Sequence, residues 1–189
     1  MKKIGRKVAR DLNTIFSCAV NALSSVTTRF EGESIMDIDE ANFRAEFCAV
    51  IRDNFKVDAV EVEVPYPMEN SRKCDLVMYS EDDTYTIWIE VKYWGTGEGS
   101  EVIRDLEKLQ EIPMAYEGRE NYRLVLTYWY EDKEPVIFIK SFGSLLGLKQ
   151  VGLYVDKRFC WFALMPGAES MDLKNPHFCG LSIYLLKDK

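Results

Sequence analysis

Near residue 60 the spacing of apolar residues changes from the helical period to strict alternation, and three strand-like runs follow in succession. Val60, Val62 and Val64 alternate with Glu61 and Glu63, the pattern of a strand with one face against a core. Pro65 and Pro67 predict its end. Two further strands are expected over 73–80 and 84–93, joined by the acidic turn Ser80-Glu81-Asp82-Asp83. Helical patterns flank these strands. Ile4, Val8, Leu12, Ile15, Phe16, Ala19 and Leu23 share one stripe, predicting an amphipathic helix over about residues 3–24. Residues 25–38 are polar and aperiodic and read as a connection. Asp39 can cap a second helix through about Phe55, with Phe43, Phe47, Val50 and Ile51 as its apolar stripe.

Trp94 to Gly99 reads as a glycine-rich loop. Ser100 can cap a helix with Val102, Ile103, Leu106 and Leu109 on one side, broken or kinked at Pro113. The run 122–129 is strongly β-type, and shorter strands are expected at Val136–Ile139, Gly152–Val155, Phe159–Leu164 and Leu181–Leu186. The order predicts a mixed α/β (α+β) domain with helices flanking one central mixed sheet. We read residues 1–189 as a single domain: a core over 39–130, an N-terminal helix and connection over 1–38, and a β-rich extension over 131–189.

Composition excludes several chemistries. The single histidine, His177, removes most zinc hydrolases and paired-histidine acid–base enzymes; it follows Asn175-Pro176 with no recognisable nucleophile motif. The five cysteines are odd in number and include no C-x-x-C pair, as expected of reduced thiols in a cytoplasmic protein. No apolar run is long enough to span a bilayer. The basic start before Ile15–Val20 superficially resembles a signal peptide, but the helical stripe favours an amphipathic helix. The net charge of −7 argues against coating nucleic acid by bulk attraction. Lys2, Lys3, Arg6, Lys7 and Arg10 nevertheless make a local +5, leaving 19 basic against 31 acidic residues, or −12, in the remainder. That basic end suits either an anion contact or a solvated helix face.

The chemistry lies in Cys74-Asp75-Leu76-Val77 and Trp88-Ile89-Glu90-Val91-Lys92. Alternation puts Glu90 and Lys92 on one face. A hairpin centred on Asp82-Asp83 pairs residues whose numbers sum to 165, which sets Asp75 opposite Glu90, Val77 opposite Trp88 and Tyr79 opposite Thr86. Facing carboxylates repel unless something positive lies between them, and a hard divalent cation answers that need. A plain Asp–Lys–Glu surface salt-bridge cluster is the competing reading. On the 39–55 helix, Glu46 lies about 60° from Phe43 and 40° from Val50, at the edge of the stripe. Asp53 is a weaker candidate on the same side. The abundant aromatics, 13% of residues, are expected in the core or as sheet cover.

Glu46, Asp75 and Glu90-Val91-Lys92, in the order helix–strand–strand–strand–helix–strand, resemble the PD-(D/E)xK nuclease superfamily with its restriction-endonuclease-like fold. The resemblance covers about residues 39–130 and departs from the pattern in carrying Cys74 where the motif has proline. It implies a Mg²⁺- or Mn²⁺-dependent phosphodiesterase acting on nucleic acid, with DNA the expected substrate, through a metal-activated water. Asp75 and Glu90 would bind the ion, Glu46 would complete the site, and Lys92 would assist the water or the phosphate. The acidic body implies weak, salt-sensitive binding, with a protein partner or a second copy supplying affinity. A non-catalytic binding or regulatory module of the same fold is the alternative.

Overall fold

The computed structural model describes residues 5–29, 40–56, 59–67, 69–94, 107–113, 115–131, 148–156 and 178–186. Helices α1 (Arg6–Arg29) and α2 (Glu40–Asn54) precede the strands β1 (Val60–Tyr66), β2 (Glu69–Tyr79), β3 (Tyr85–Trp94), β4 (Ala115–Tyr116), β5 (Arg119–Glu131), β6 (Leu148–Asp156) and β7 (Phe178–Leu186). Among the described residues these form one sheet in the order β1-β2-β3-β5-β7-β6, with β4 paired to β5. All neighbours are antiparallel except β3 and β5, which run parallel. A mixed sheet flanked by helices is therefore the architecture. A parallel pair needs a crossover, and the short helix at 107–111 lies between β3 and β5 in the chain.

The two faces differ in chemistry. Leu76 and Met78 of β2, Ile87, Ile89 and Val91 of β3, and Leu124, Leu126 and Tyr128 of β5 join α1 and α2 in one apolar cluster. Phe43 and Phe47 of α2 are fully buried in it, and Phe43 packs on Tyr128 at a ring separation of 4.5 Å. The alternate residues form the second face, where buried Thr86, Trp88, Glu90, Asn121, Arg123 and Thr127 mix polar and apolar groups. There Trp88 Nε1 donates to Asn121 at 3.0 Å, and Asn121 Nδ2 donates to the Pro113 carbonyl at 2.7 Å. Those bonds tie the 107–113 segment to this side.

Three boundaries differ from expectation. α1 runs to Arg29 through residues assigned to a connection, because Val26 is buried and Ser25 bonds to α2. β1 runs through Pro65 to Tyr66, since an edge strand loses little when one residue lacks an N–H. β2 begins at Glu69, earlier than the expected 73, because its first residues pair with the end of β1. The expected helix from Ser100 appears as 107–111, its first turns lying outside the described residues. The glycine loop Gly95–Gly99, the strands at 136–139 and 159–164, and His177 also lie outside them. No helix among the described residues is long and apolar enough to cross a membrane.

Replacing Phe47, which has no exposed surface, by Ala should cost about 3–5 kcal/mol of stability in urea unfolding. Cys18, buried where α1 meets α2, offers a pH test. Burial pushes its thiol from 9.0 up to about 11, so folding favours the protonated form. That contribution is complete below pH 9 and is lost as pH rises through 11. Cys18→Ala should flatten the stability–pH curve across that interval.

Candidate active site at a fork between two strands

The β2–β3 ladder is built from the turn outward. Ser80 N–H donates to the Tyr85 carbonyl at 2.9 Å and Asp83 N–H to the Ser80 carbonyl at 3.0 Å, closing a four-residue loop. Asp83 takes the left-handed conformation at φ 57°, which aspartate tolerates better than most residues. Tyr79↔Thr86, Met78↔Ile87, Val77↔Trp88 and Leu76↔Ile89 then pair in the register expected from the sequence.

The ladder stops there. β2 stays with β1 through Val64↔Cys74 and Pro65↔Lys73, so the two strands part beyond Leu76 and Ile89. Side chains bond to β3 where rungs end. Asp75 Oδ2 accepts from Val91 N–H at 2.9 Å, and the Cys74 thiol donates to the Ile89 carbonyl at 3.3 Å. Positions 75 and 90 lie one residue past the last pair, Leu76↔Ile89. Burial first, then the charges of Glu90 and Asp75, push the Cys74 thiol well above its ordinary range. Both carboxylates thus bear on the same sulfur.

Each acid already has a protein donor. Arg44 of α2 donates from Nη1 to Asp75 Oδ1 at 2.6 Å. The Tyr66 hydroxyl donates to Glu90 Oε1, and the Tyr66 ring stacks on Trp88 at 6.3 Å. Lys92 Nζ donates to Glu40 Oε1 at 3.0 Å. Burial pulls the Arg44 guanidinium down, but the Asp75 hydrogen bond and the charges of Asp75, Glu63 and Glu40 together raise it above its usual value.

Tyr66 reaches Glu90 because β1 reverses its faces. Val60 joins the helix-side cluster, yet Tyr66, an even number of residues later, packs on Trp88 of the second face. Between them Glu63 adopts a left-handed φ of 51°, and the register with β2 shifts between Pro65 and Tyr66.

Asp75, Glu90 and Lys92 thus lie on adjacent strands at the fork, each held by its own partner: Arg44, Tyr66 and Glu40. Glu46 Oε1 accepts from Ser25 Oγ of α1 at 2.7 Å, at the helix–helix contact. Asp53 is exposed near the other end of α2. The helix acid beside Lys92 is Glu40. A signal for it exists in the sequence: Glu40 lies within about 20° of both Phe47 and Ile51 on the helical wheel, whereas Glu46 lies about 100° from Phe47. Arg44 follows at i+4, on the same side. For Tyr66 no comparable pattern exists.

Among the described residues no group of three or more His, Cys, Asp or Glu side chains is arranged to hold a metal ion. Two carboxylates, Asp75 and Glu90, remain as candidate ligands. Magnesium accepts such a pair when water and phosphate supply the rest, so the donor set fits, with Arg44 as its competitor. Compared with known protein families, curated proteins and solved structures, the chain has no significant match.

Tyr66→Phe removes the hydroxyl donated to Glu90 and should cost about 1.5–3 kcal/mol in denaturant unfolding. A loss below 0.5 kcal/mol, a size expected of an unimportant surface change, would show that this bond does little to hold Glu90.

Proposed function

We propose that the chain is a Mg²⁺-dependent phosphodiesterase with a restriction-endonuclease-like core, acting on nucleic acid and most naturally on DNA. The observation that carries this reading is the fork: Asp75 and Glu90 stand one rung beyond Leu76↔Ile89, with Lys92 two residues on. The order α2, antiparallel β1-β2-β3, then β5 parallel to β3 is the order that such a core requires, and it supports the reading.

The roles follow from the chemistry of the side chains. Asp75 and Glu90 would hold the ion, oriented by Val91 N–H and by the Tyr66 hydroxyl. A bound magnesium ion would supply Lewis-acid polarisation of the phosphate and a more acidic water. Lys92, steadied by Glu40 at 3.0 Å, presents an ammonium to the phosphate oxygens or to the proton of the attacking water. Glu40 takes the helix-acid role that the sequence suggested for Glu46. The net charge of −7 supports weak, salt-sensitive binding, helped by a protein partner or a second copy.

A non-catalytic module of the same fold is the second reading. It is favoured by the Arg44–Asp75 pair at 2.6 Å, which satisfies that carboxylate without any metal.

Cleavage of plasmid, linear and single-stranded DNA at low salt, in Mg²⁺ and in Mn²⁺, separates the two. Lys92→Ala should lower cleavage at least about 100-fold while leaving metal-induced thermal stabilisation in place, because lysine is no ligand. Asp75→Asn should lose both. Glu40→Gln should lose part of the cleavage, and Glu46→Gln should cut like the parent protein. No cleavage by the parent protein on any substrate would favour the module.

A further inference from the structure

Arg44 faces two carboxylates at once. Its Nη1 lies 2.6 Å from Asp75 Oδ1, and its Nη2 lies 3.7 Å from Glu63 Oε1. The two acids differ in setting: the Asp75 side chain is only 9% exposed, whereas that of Glu63 is 55% exposed. Glu63 also sits at the left-handed residue of β1, between the rungs Val62↔Leu76 and Val64↔Cys74. It is thus fixed on the edge strand beside position 75. The other oxygen of Asp75 is taken by Val91 N–H. A divalent cation coming to Oδ1 therefore meets a guanidinium already bonded there, and the two positive charges repel each other at that distance.

We propose that Arg44 is a two-position arm that regulates metal loading. In the metal-free protein it neutralises Asp75; when a divalent cation takes Asp75, the guanidinium transfers to Glu63. This inference rests on the reading of Asp75 as a metal ligand. The geometry makes the transfer short, since Nη2 needs to close less than about 1 Å to reach hydrogen-bond distance from Glu63. The planar fork of arginine suits the task, because its two terminal nitrogens can release one carboxylate while holding the other. The device keeps charge at the fork balanced in both states. The empty site avoids facing carboxylates, and the loaded site sends its surplus positive charge to an exposed acid.

The test is calorimetric titration with Mn²⁺ in the absence of nucleic acid, with circular dichroism to check folding. Arg44→Gln should bind Mn²⁺ at least about tenfold more tightly, because a charge-assisted hydrogen bond no longer competes. Glu63→Gln, a change on an exposed side chain, should weaken binding several-fold. In the Arg44→Gln background Glu63→Gln should change nothing, since no arm remains to be received. An equal effect of Glu63→Gln in both backgrounds would assign the result to long-range charge and overturn the arm. Unchanged affinity in Arg44→Gln would also overturn it, and loss of Mn²⁺ binding in Asp75→Asn would then show that the metal reading survives alone. Equal Mn²⁺ binding by Asp75→Asn and the parent protein would end both. If Arg44→Gln does not fold, Arg44→Lys serves: its single terminal nitrogen lacks the two spaced nitrogens of the guanidinium fork, so the cost of Glu63→Gln should shrink, and an undiminished cost would count against the arm.

Discussion

The β2–β3 register governs everything placed at the fork. A slip of one residue would turn Leu76, which has no exposed surface, away from the helix side and break the Asp75 bond to Val91 N–H. Neither face tolerates that exchange. The helix side is filled by Phe43, Phe47, Ile87 and Ile89, and the second face by Trp88, Asn121 and Arg123 with their hydrogen bonds. The core therefore enforces the register, and the register delivers the carboxylates. β3 adds a second constraint: it is paired on both sides, to β2 and β5, so Glu90 is 3% exposed and cannot turn to bulk water. A charge so placed needs donors near it, and Tyr66 is one.

The acids at the fork thus stand apart from an ordinary surface salt-bridge cluster, where exposed pairs contribute little. Asp75 is nearly enclosed and bonded by both a guanidinium and a backbone N–H. Burying an ionised group is costly unless it is paired and bonded, and replacing such a pair by apolar residues is often neutral or better for stability. Three carboxylates, Asp75, Glu63 and Glu40, act on Arg44, and Glu40 also holds Lys92.

Much of this was legible in the sequence, for physical reasons that differ by residue. The strand positions of Asp75, Glu90 and Lys92 followed from alternation and from the even-numbered loop, because side-chain period and turn length together determine pairing. The helix acid did not follow. α2 packs against both the sheet and α1, so its apolar stripe is wide, and Phe43 with Val50 points to a different edge than Phe47 with Ile51. Glu46 lies by the first pair, where Ser25 meets it; Glu40 lies by the second, over the end of β3. A helical wheel drawn from one edge of a wide stripe cannot choose between them. Tyr66 was illegible because the register of β1 on β2 shifts between Pro65 and Tyr66, an irregularity that no residue pattern demands. The extent of α1 escaped for the opposite reason: Val26-Thr27-Thr28 has modest helix propensity, and tertiary contact overrides it.

The basic start of the chain is bound up with the same hairpin, at its far end. The first turn of α1 holds no acid, although the helix dipole favours negative charge there. The hairpin turn supplies it: Lys7 pairs with Asp82 at 2.9 Å, and the Lys7 and Thr84 hydrogen bonds hold the Asp82 carboxyl well below its usual range. The neighbouring acids are matched too, Glu81 by Lys56 and Asp83 by Arg119. Three cations from α1, the end of α2 and the start of β5 therefore converge on one turn. Each pair is exposed and weak alone, but together they fix the turn from three directions. The Lys7 ammonium is thus engaged by the protein's own turn. The hairpin is thus clamped where its register begins and open where it ends. At that parted end the Asp75 side chain, and not a backbone rung, joins β2 to β3 through Val91 N–H.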